Sequence, residues 1–268
     1  MPSSCDFLPD RIGELPYICP AFTTMYYIFR KELNSFFSSL IGYMAIVVFL
    51  LVCGFFMWVV PNANLLDYGY ASMDKFFAFA PWVMMFLLPA LTMRSFSDEF
   101  RAGTIEVLST LPLKESAMII GKFLASLVLV IFSLLPTLLY VYTLSNLAIQ
   151  KGNMDSGGII GSYTGLLFLS AAFTAIGVFC SSLNSNQVVV FLLAVFANFI
   201  LYAGFETMSR LPVLANGADY FISQLGMQYH YYSLSRGVLD SRDMVYFLSV
   251  VVLFILATRL SLQKRKWN

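Results

Sequence analysis

Long uncharged apolar runs alternate with short polar segments along most of the chain. The runs are Ile41–Val60, Phe76–Met93, Phe123–Leu147, Gly157–Leu183, Val188–Phe205 and Met244–Thr258. A helix that crosses a bilayer needs about 20 residues. The last run reaches that length only when Arg259 snorkels and Leu260–Leu262 are counted. The pattern therefore predicts six transmembrane helices. A closed barrel is the other way to satisfy backbone groups in lipid, but these runs lack strict alternation of apolar and polar positions. Pro81 and Pro89 in the second run, and Pro136 in the third, predict kinks rather than helix ends. Ahead of the first run, Tyr26–Phe37 places Tyr26, Ile28, Phe29, Leu33, Phe36 and Phe37 largely on one side. Arg30, Lys31, Glu32 and Asn34 fall mostly on the other. That division suits an interfacial helix leading into the first span, or simply that span's first turns.

The polar stretch Arg94–Lys122 organises the rest. Ile105, Leu108 and Leu111 recur at i, i+3 and i+6 and share one face of a short amphipathic helix beginning near Gly103. Pro112 ends it, because proline lacks the N–H and disfavours helical geometry in the residue before it. Glu106 lies in its first turn, where a carboxylate suits the helix dipole. An apolar face in a loop needs a docking partner. The membrane interface and the protein's own spans are the bland alternatives.

Composition agrees with the membrane reading. The chain has 268 residues, 59% hydrophobic and 12% charged, where a soluble domain runs at about 45–50% and about 25%. A net charge of +1 gives no case for a nucleic-acid partner. Cys5, Cys19, Cys53 and Cys180 form no CxxC or Cys/His pair, so no metal site is expected. Residues 1–24 hold Asp6, Asp10, Arg11, Glu14 and four prolines, Pro2, Pro9, Pro16 and Pro20, which is not a signal peptide. They read as an N-terminal extension, with Met25 a plausible alternative start and 25–268 a single membrane domain.

The 16 Lys and Arg set the orientation. With the N-terminus inside, Arg11, Arg30, Lys31, Arg94, Arg101, Lys114, Lys122, Arg259, Lys264, Arg265 and Lys266 lie in the cytoplasm. Only Lys75, Lys151, Arg210, Arg236 and Arg242 lie outside. Both termini, the Arg94–Lys122 loop and the tight Ser181–Gln187 turn, with Asn184, Asn186 and Gln187, are therefore expected in the cytoplasm. The outer Glu206–Asp243 connection is apolar enough to hold short helices at Tyr220–Leu225 and Tyr229–Leu239. Tyr229, Tyr231 and Tyr232 would then sit at headgroup depth, and His230, the one histidine, would be an interfacial polar residue.

Several chemistries are missing. One histidine beside a membrane builds no catalytic triad. The nearest approach to a P-loop is Gly121-Lys122, but Ser116 stands where the first glycine is needed and Phe123 where Ser or Thr must follow. The chain is thus not expected to bind nucleotide or to be an enzyme. No ionisable residue lies within the first five runs, which disfavours an ion-coupled carrier. Gly161 and Gly165 form a small-xxx-small face in the fourth run, suited to close helix packing.

Thr92–Leu113, TMRSFSDEFRAGTIEVLSTLPL, resembles the cytoplasmic loop of ABC-2 type permeases. The matching places are Asp98, Glu99, Arg101, Gly103, Thr104, Ile105, Glu106, Leu108 and Pro112. Ser181–Val190 resembles the family's turn between spans four and five, and Ser235–Leu248 its entry to span six. With Phe29–Tyr43, FRKELNSFFSSLIGY, the likeness covers about Met25–Leu262 and is closest to the gliding-motility-associated (GldF-like) permeases of Bacteroidota. It implies an all-α type II exporter fold with six spans, a cytoplasmic coupling helix and outer re-entrant helices. It implies a bacterial inner-membrane location and a separate ATPase subunit that binds ATP and magnesium. It also implies a second membrane subunit or a second copy of this chain. On that reading Glu99, Arg101, Gly103, Thr104, Ile105, Glu106, Leu108 and Leu111 form the ATPase-coupling segment of an export permease. The alternative is a non-transporting scaffold that passes ATPase motion to gliding or secretion machinery.

Overall fold

The computed structural model describes residues 19–60, 72–104, 115–147, 155–210, 218–237 and 240–266. All regular structure among them is helical. Helix α1 (Cys19–Ser38) meets α2 (Leu40–Trp58) at a bend of 67°. Gly42 stands where the bend brings chain against chain: a Cβ there would lie 2.6 Å from the Phe36 carbonyl oxygen. The bend leaves both readings of Tyr26–Phe37 in place, an interfacial helix that leads into the first span and the first turns of that span.

The second span is α3 (Asp74–Thr92), and α4 (Arg94–Arg101) follows it with only Met93 between. Helical backbone therefore runs on from Asp74 to Arg101. This corrects the expectation of a loop from Arg94. The charged residues of α4 end the apolar run but not the helix, because RSFSDEFR contains no proline or glycine. Pro81 and Pro89 sit inside α3 without ending it. The third span begins at Glu115, well before Phe123, as α5 (Glu115–Leu134). It passes through a 3-10 turn at Leu135–Thr137, where Pro136 stands, into α6 (Leu138–Leu147).

Helix α7 (Ser156–Leu183) is the axis of the molecule. Of its most apolar window 72% is buried, against 28% for the fifth span and 22% for the sixth. Small residues allow this. At Gly177 an added Cβ would fall 2.0 Å from the Thr92 hydroxyl oxygen, so the bare backbone of α7 there packs against the Thr92 side chain of α3. The turn to the fifth span is only Asn184–Asn186, shorter than the Ser181–Gln187 expected. The fifth span comprises α8 (Gln187–Phe199), a π-helical segment Ile200–Gly204 and α9 (Phe205–Ser209). Two short helices follow, α10 (Ala218–Leu225) and α11 (Met227–Ser235), close to the positions read from the sequence. The sixth span, α12 (Ser241–Lys266), is longer than its apolar run. Among the described residues five stretches are long and apolar enough to cross a membrane, six with the bent α1–α2 pair.

The α10–α11 hairpin is packed more deeply than its tyrosines suggest. Tyr231 is fully buried and donates a 2.6 Å hydrogen bond to the Phe77 carbonyl, so its ring faces the protein interior rather than lipid. Burial holds its phenol well above the usual tyrosine range, which keeps it a donor. His230 is not a free interfacial group either. Its Nδ1 lies 2.7 Å from Asp243 Oδ1 and its Nε2 2.8 Å from the Gln224 carbonyl. Its ring stacks on Tyr246 at 3.9 Å. Gly161 and Gly165 pack under the same hairpin. A Cβ at Gly161 would meet the Leu234 carbonyl oxygen at 2.5 Å and Gly237 Cα at 2.8 Å, and one at Gly165 would meet Leu234 Cβ at 3.2 Å.

Candidate functional site

The end of the bundle opposite that hairpin carries a buried ionic hub. Lys122, on α5, is 2% exposed. Its Nζ reaches Glu32 Oε1 of α1 at 2.8 Å, Glu99 Oε1 of α4 at 2.8 Å and the Ser95 carbonyl of α4 at 2.5 Å. An ammonium has three protons, and all three are placed. The charge also lies 5.0 Å from the Phe96 ring centroid. Gly121 makes the approach possible: a Cβ there would lie 3.1 Å from the Met25 carbonyl oxygen and 3.2 Å from Ile28 Cγ2. One lysine thus ties the entry helix, the extension of the second span and the third span together.

Helix α4 is held from its other side by the end of α7. Ser181 Oγ accepts hydrogen bonds from the Phe96 and Ser97 amides at 2.8 and 3.2 Å, and donates to the Met93 carbonyl at 3.1 Å. The Gln187 side-chain amide donates to Asp98. In the turn, Asn184 Oδ1 accepts from the Asn186 amide at 2.9 Å, and Asn186 Oδ1 accepts from the Val188 amide at 3.0 Å. These bonds shape the turn and cap α8, and Gln187 joins it to α4. From α12, Arg265 donates to the Leu183 carbonyl at 2.5 Å and lies 4.1 Å over the Phe100 ring. At this end α5, α7 and α8 are thus bonded directly to α4, and α1 and α12 to its neighbours α5 and α7.

Of the residues expected to form a coupling segment, Glu99 is half-buried in the hub and Arg101 is exposed. Gly103, just after α4, has φ +67, a backbone conformation that favours glycine. Thr104 donates to the Glu99 carbonyl at 3.3 Å and is itself helical. Ile105, Glu106, Leu108 and Leu111 lie outside the described residues. Lys122 and Glu32 were missed as site residues. The available signal was a lone lysine after Ile119-Ile120-Gly121 and a glutamate on a half-apolar helix, opposite charges flanking apolar faces. Among the described residues no cluster of His, Cys, Asp and Glu has the makings of a metal site.

The family model for ABC-2 family transporter proteins matches residues 60–259. The chain belongs to this family. No curated protein matches it significantly. The ABC-2 match spans the hub residues of α4 and α5, the turn after α7 and the hairpin. The protein is a multi-pass membrane protein and the permease subunit of an ABC transporter. Members of this family work with an ABC ATPase and a membrane partner. The hub itself is built from ion pairs and caps that join α1, α4 and α5.

Proposed function

We propose that this ABC-2 permease takes ATP-driven motion from a separate ATPase subunit through the segment Arg94–Leu111 and uses it to export substrate across a bacterial cytoplasmic membrane. The observation that carries the reading is the Lys122 hub. Helix α4 leads directly from the second span to Gly103, and Lys122 couples it to the first and third spans. A push on the Ile105–Leu111 face would be felt by three spans and, through Ser181 and Gln187, by two more. ATP and magnesium belong to the ATPase subunit. The permease pairs with a second membrane subunit or a second copy of itself. The eleven-to-five basic bias supports termini and hub on the cytoplasmic side. The likeness of Phe29–Tyr43 and Thr92–Leu113 to gliding-motility permeases supports a role in that machinery.

Burying one leucine-sized side chain stabilises a contact by about 1.5–3 kcal/mol, so Ile105, Leu108 and Leu111 together can supply much of a subunit interface. Leu108→Asp is expected to leave the permease inserted and folded while abolishing co-purification with its ATPase. Glu106→Lys is expected to weaken the complex less, since a rim ion pair contributes about 0.2–1 kcal/mol. Full ATPase binding by Leu108→Asp refutes the assignment of this face.

A further inference from the structure

The buried hydroxyls of the spans mostly satisfy themselves on their own helix. Thr92 donates to the Leu88 carbonyl at 2.8 Å, Ser133 to Val130 at 2.7 Å, Ser170 to Leu166 at 2.5 Å and Thr258 to Phe254 at 2.7 Å. Three buried uncharged side chains of the spans have polar atoms with no such partner. The Thr174 hydroxyl, the Tyr202 hydroxyl and both amide atoms of Asn198 have no hydrogen-bond partner among the described residues. All three residues are 0% exposed. In an apolar environment such groups are costly unless something meets them.

They also share a place. Asn198 and Tyr202 are four residues apart on the inward side of the fifth span, in line with the fully buried Ala194. Tyr202 lies within the π-helical segment Ile200–Gly204, a widened turn of the kind that frequently marks a functional site. Its ring packs edge-on against Phe173 of α7 at 6.0 Å and Trp82 of α3 at 5.8 Å. Thr174 is the next residue of α7. It lies one turn from Ser170, whose hydroxyl touches Met84 of α3 at 3.0 Å, and three residues from Gly177, which meets Thr92 of α3. The three polar residues thus surround the junction of α3, α7 and the fifth span.

We infer that this junction is an intramembrane binding site for water, held by Asn198, Tyr202 and Thr174. The chemistry fits a small neutral ligand. The amide offers donors and an acceptor and each hydroxyl can do either, which matches the two to four partners that a buried water takes. The buried charged residues of the described chain, Lys122 and Asp243, belong to the hub and to the hairpin contact, so no charge here calls for an ion. A hydrated π-helical turn would give the fifth span a polar point about which its backbone bonds can exchange.

The test is radiolytic footprinting of the full-length permease in nanodiscs, in isotopically labelled water. Tyr231 is the internal control, since it is the same residue type, equally buried, with its hydroxyl on the Phe77 carbonyl. Tyr202 is expected to take up label several-fold faster than Tyr231. Asn198→Leu should bring Tyr202 down to the control rate. Should that variant fail to insert, Tyr202→Phe keeps the packing and should slow labelling at the adjoining Phe173. Equal rates at Tyr202 and Tyr231 in the unaltered protein overturn the proposal, as does labelling that neither variant changes.

Discussion

Lys122 shows what one buried charge can organise. Its three protons are divided between two carboxylates and a carbonyl on two other helices. Removing one member of a buried pair costs about 3–5 kcal/mol, because the remaining charge is left without a partner. Lys122→Met is therefore expected to lower the unfolding free energy by about that amount. Adding Glu32→Gln and Glu99→Gln removes the stranded charges and should recover most of the loss. Thermal unfolding of both variants in detergent checks this, and equal midpoints for the single and triple variants would argue against the ionic reading. The lysine was visible in the sequence, but only as the basic end of a polar loop. Nothing in one dimension says that Gly121 lets α1 approach closely enough for Glu32 to reach it.

Hydropathy made most of the spans legible, because each spanning helix must be apolar for about 20 residues whatever it packs against. Their ends were not. Helices α4 and α12 run on past the apolar run, and a charged sequence without breakers can extend a helix into the interface. The short outer helices were readable from tyrosine and leucine spacing, whereas their burial was not. Tyr231 and His230 find partners on α3 and α12, far from or outside their own helix in sequence. His230 binds Asp243 and the Gln224 carbonyl at once and stacks on Tyr246, so it fastens the hairpin to the sixth span. A hydrogen bond to a charged group contributes about 1.5–3 kcal/mol. His230→Ala should therefore speed amide exchange across 218–235 while leaving 156–183 protected. Unchanged exchange in 218–235 would show that Tyr231 and the glycines of α7 hold the hairpin without it.

Across the whole molecule the two ends are built differently. The hairpin end is closed by aromatic rings and small residues, and the hub end by ion pairs and caps that converge on α4. The proposed orientation puts the hub inside. A cysteine introduced at Asn153 should then react with an impermeant thiol reagent from outside, and one at Glu115 only after the membrane is opened. The reverse pattern would turn the protein over and remove α4 from reach of any cytoplasmic ATPase. The central claim is that the hub carries ATPase motion into the spans. It is tested most directly by ATP hydrolysis in proteoliposomes holding the ATPase with either the unaltered permease or the Lys122→Met, Glu32→Gln, Glu99→Gln triple variant. The account predicts that the triple variant still binds the ATPase but no longer stimulates its hydrolysis. Full stimulation by a folded triple variant would contradict it.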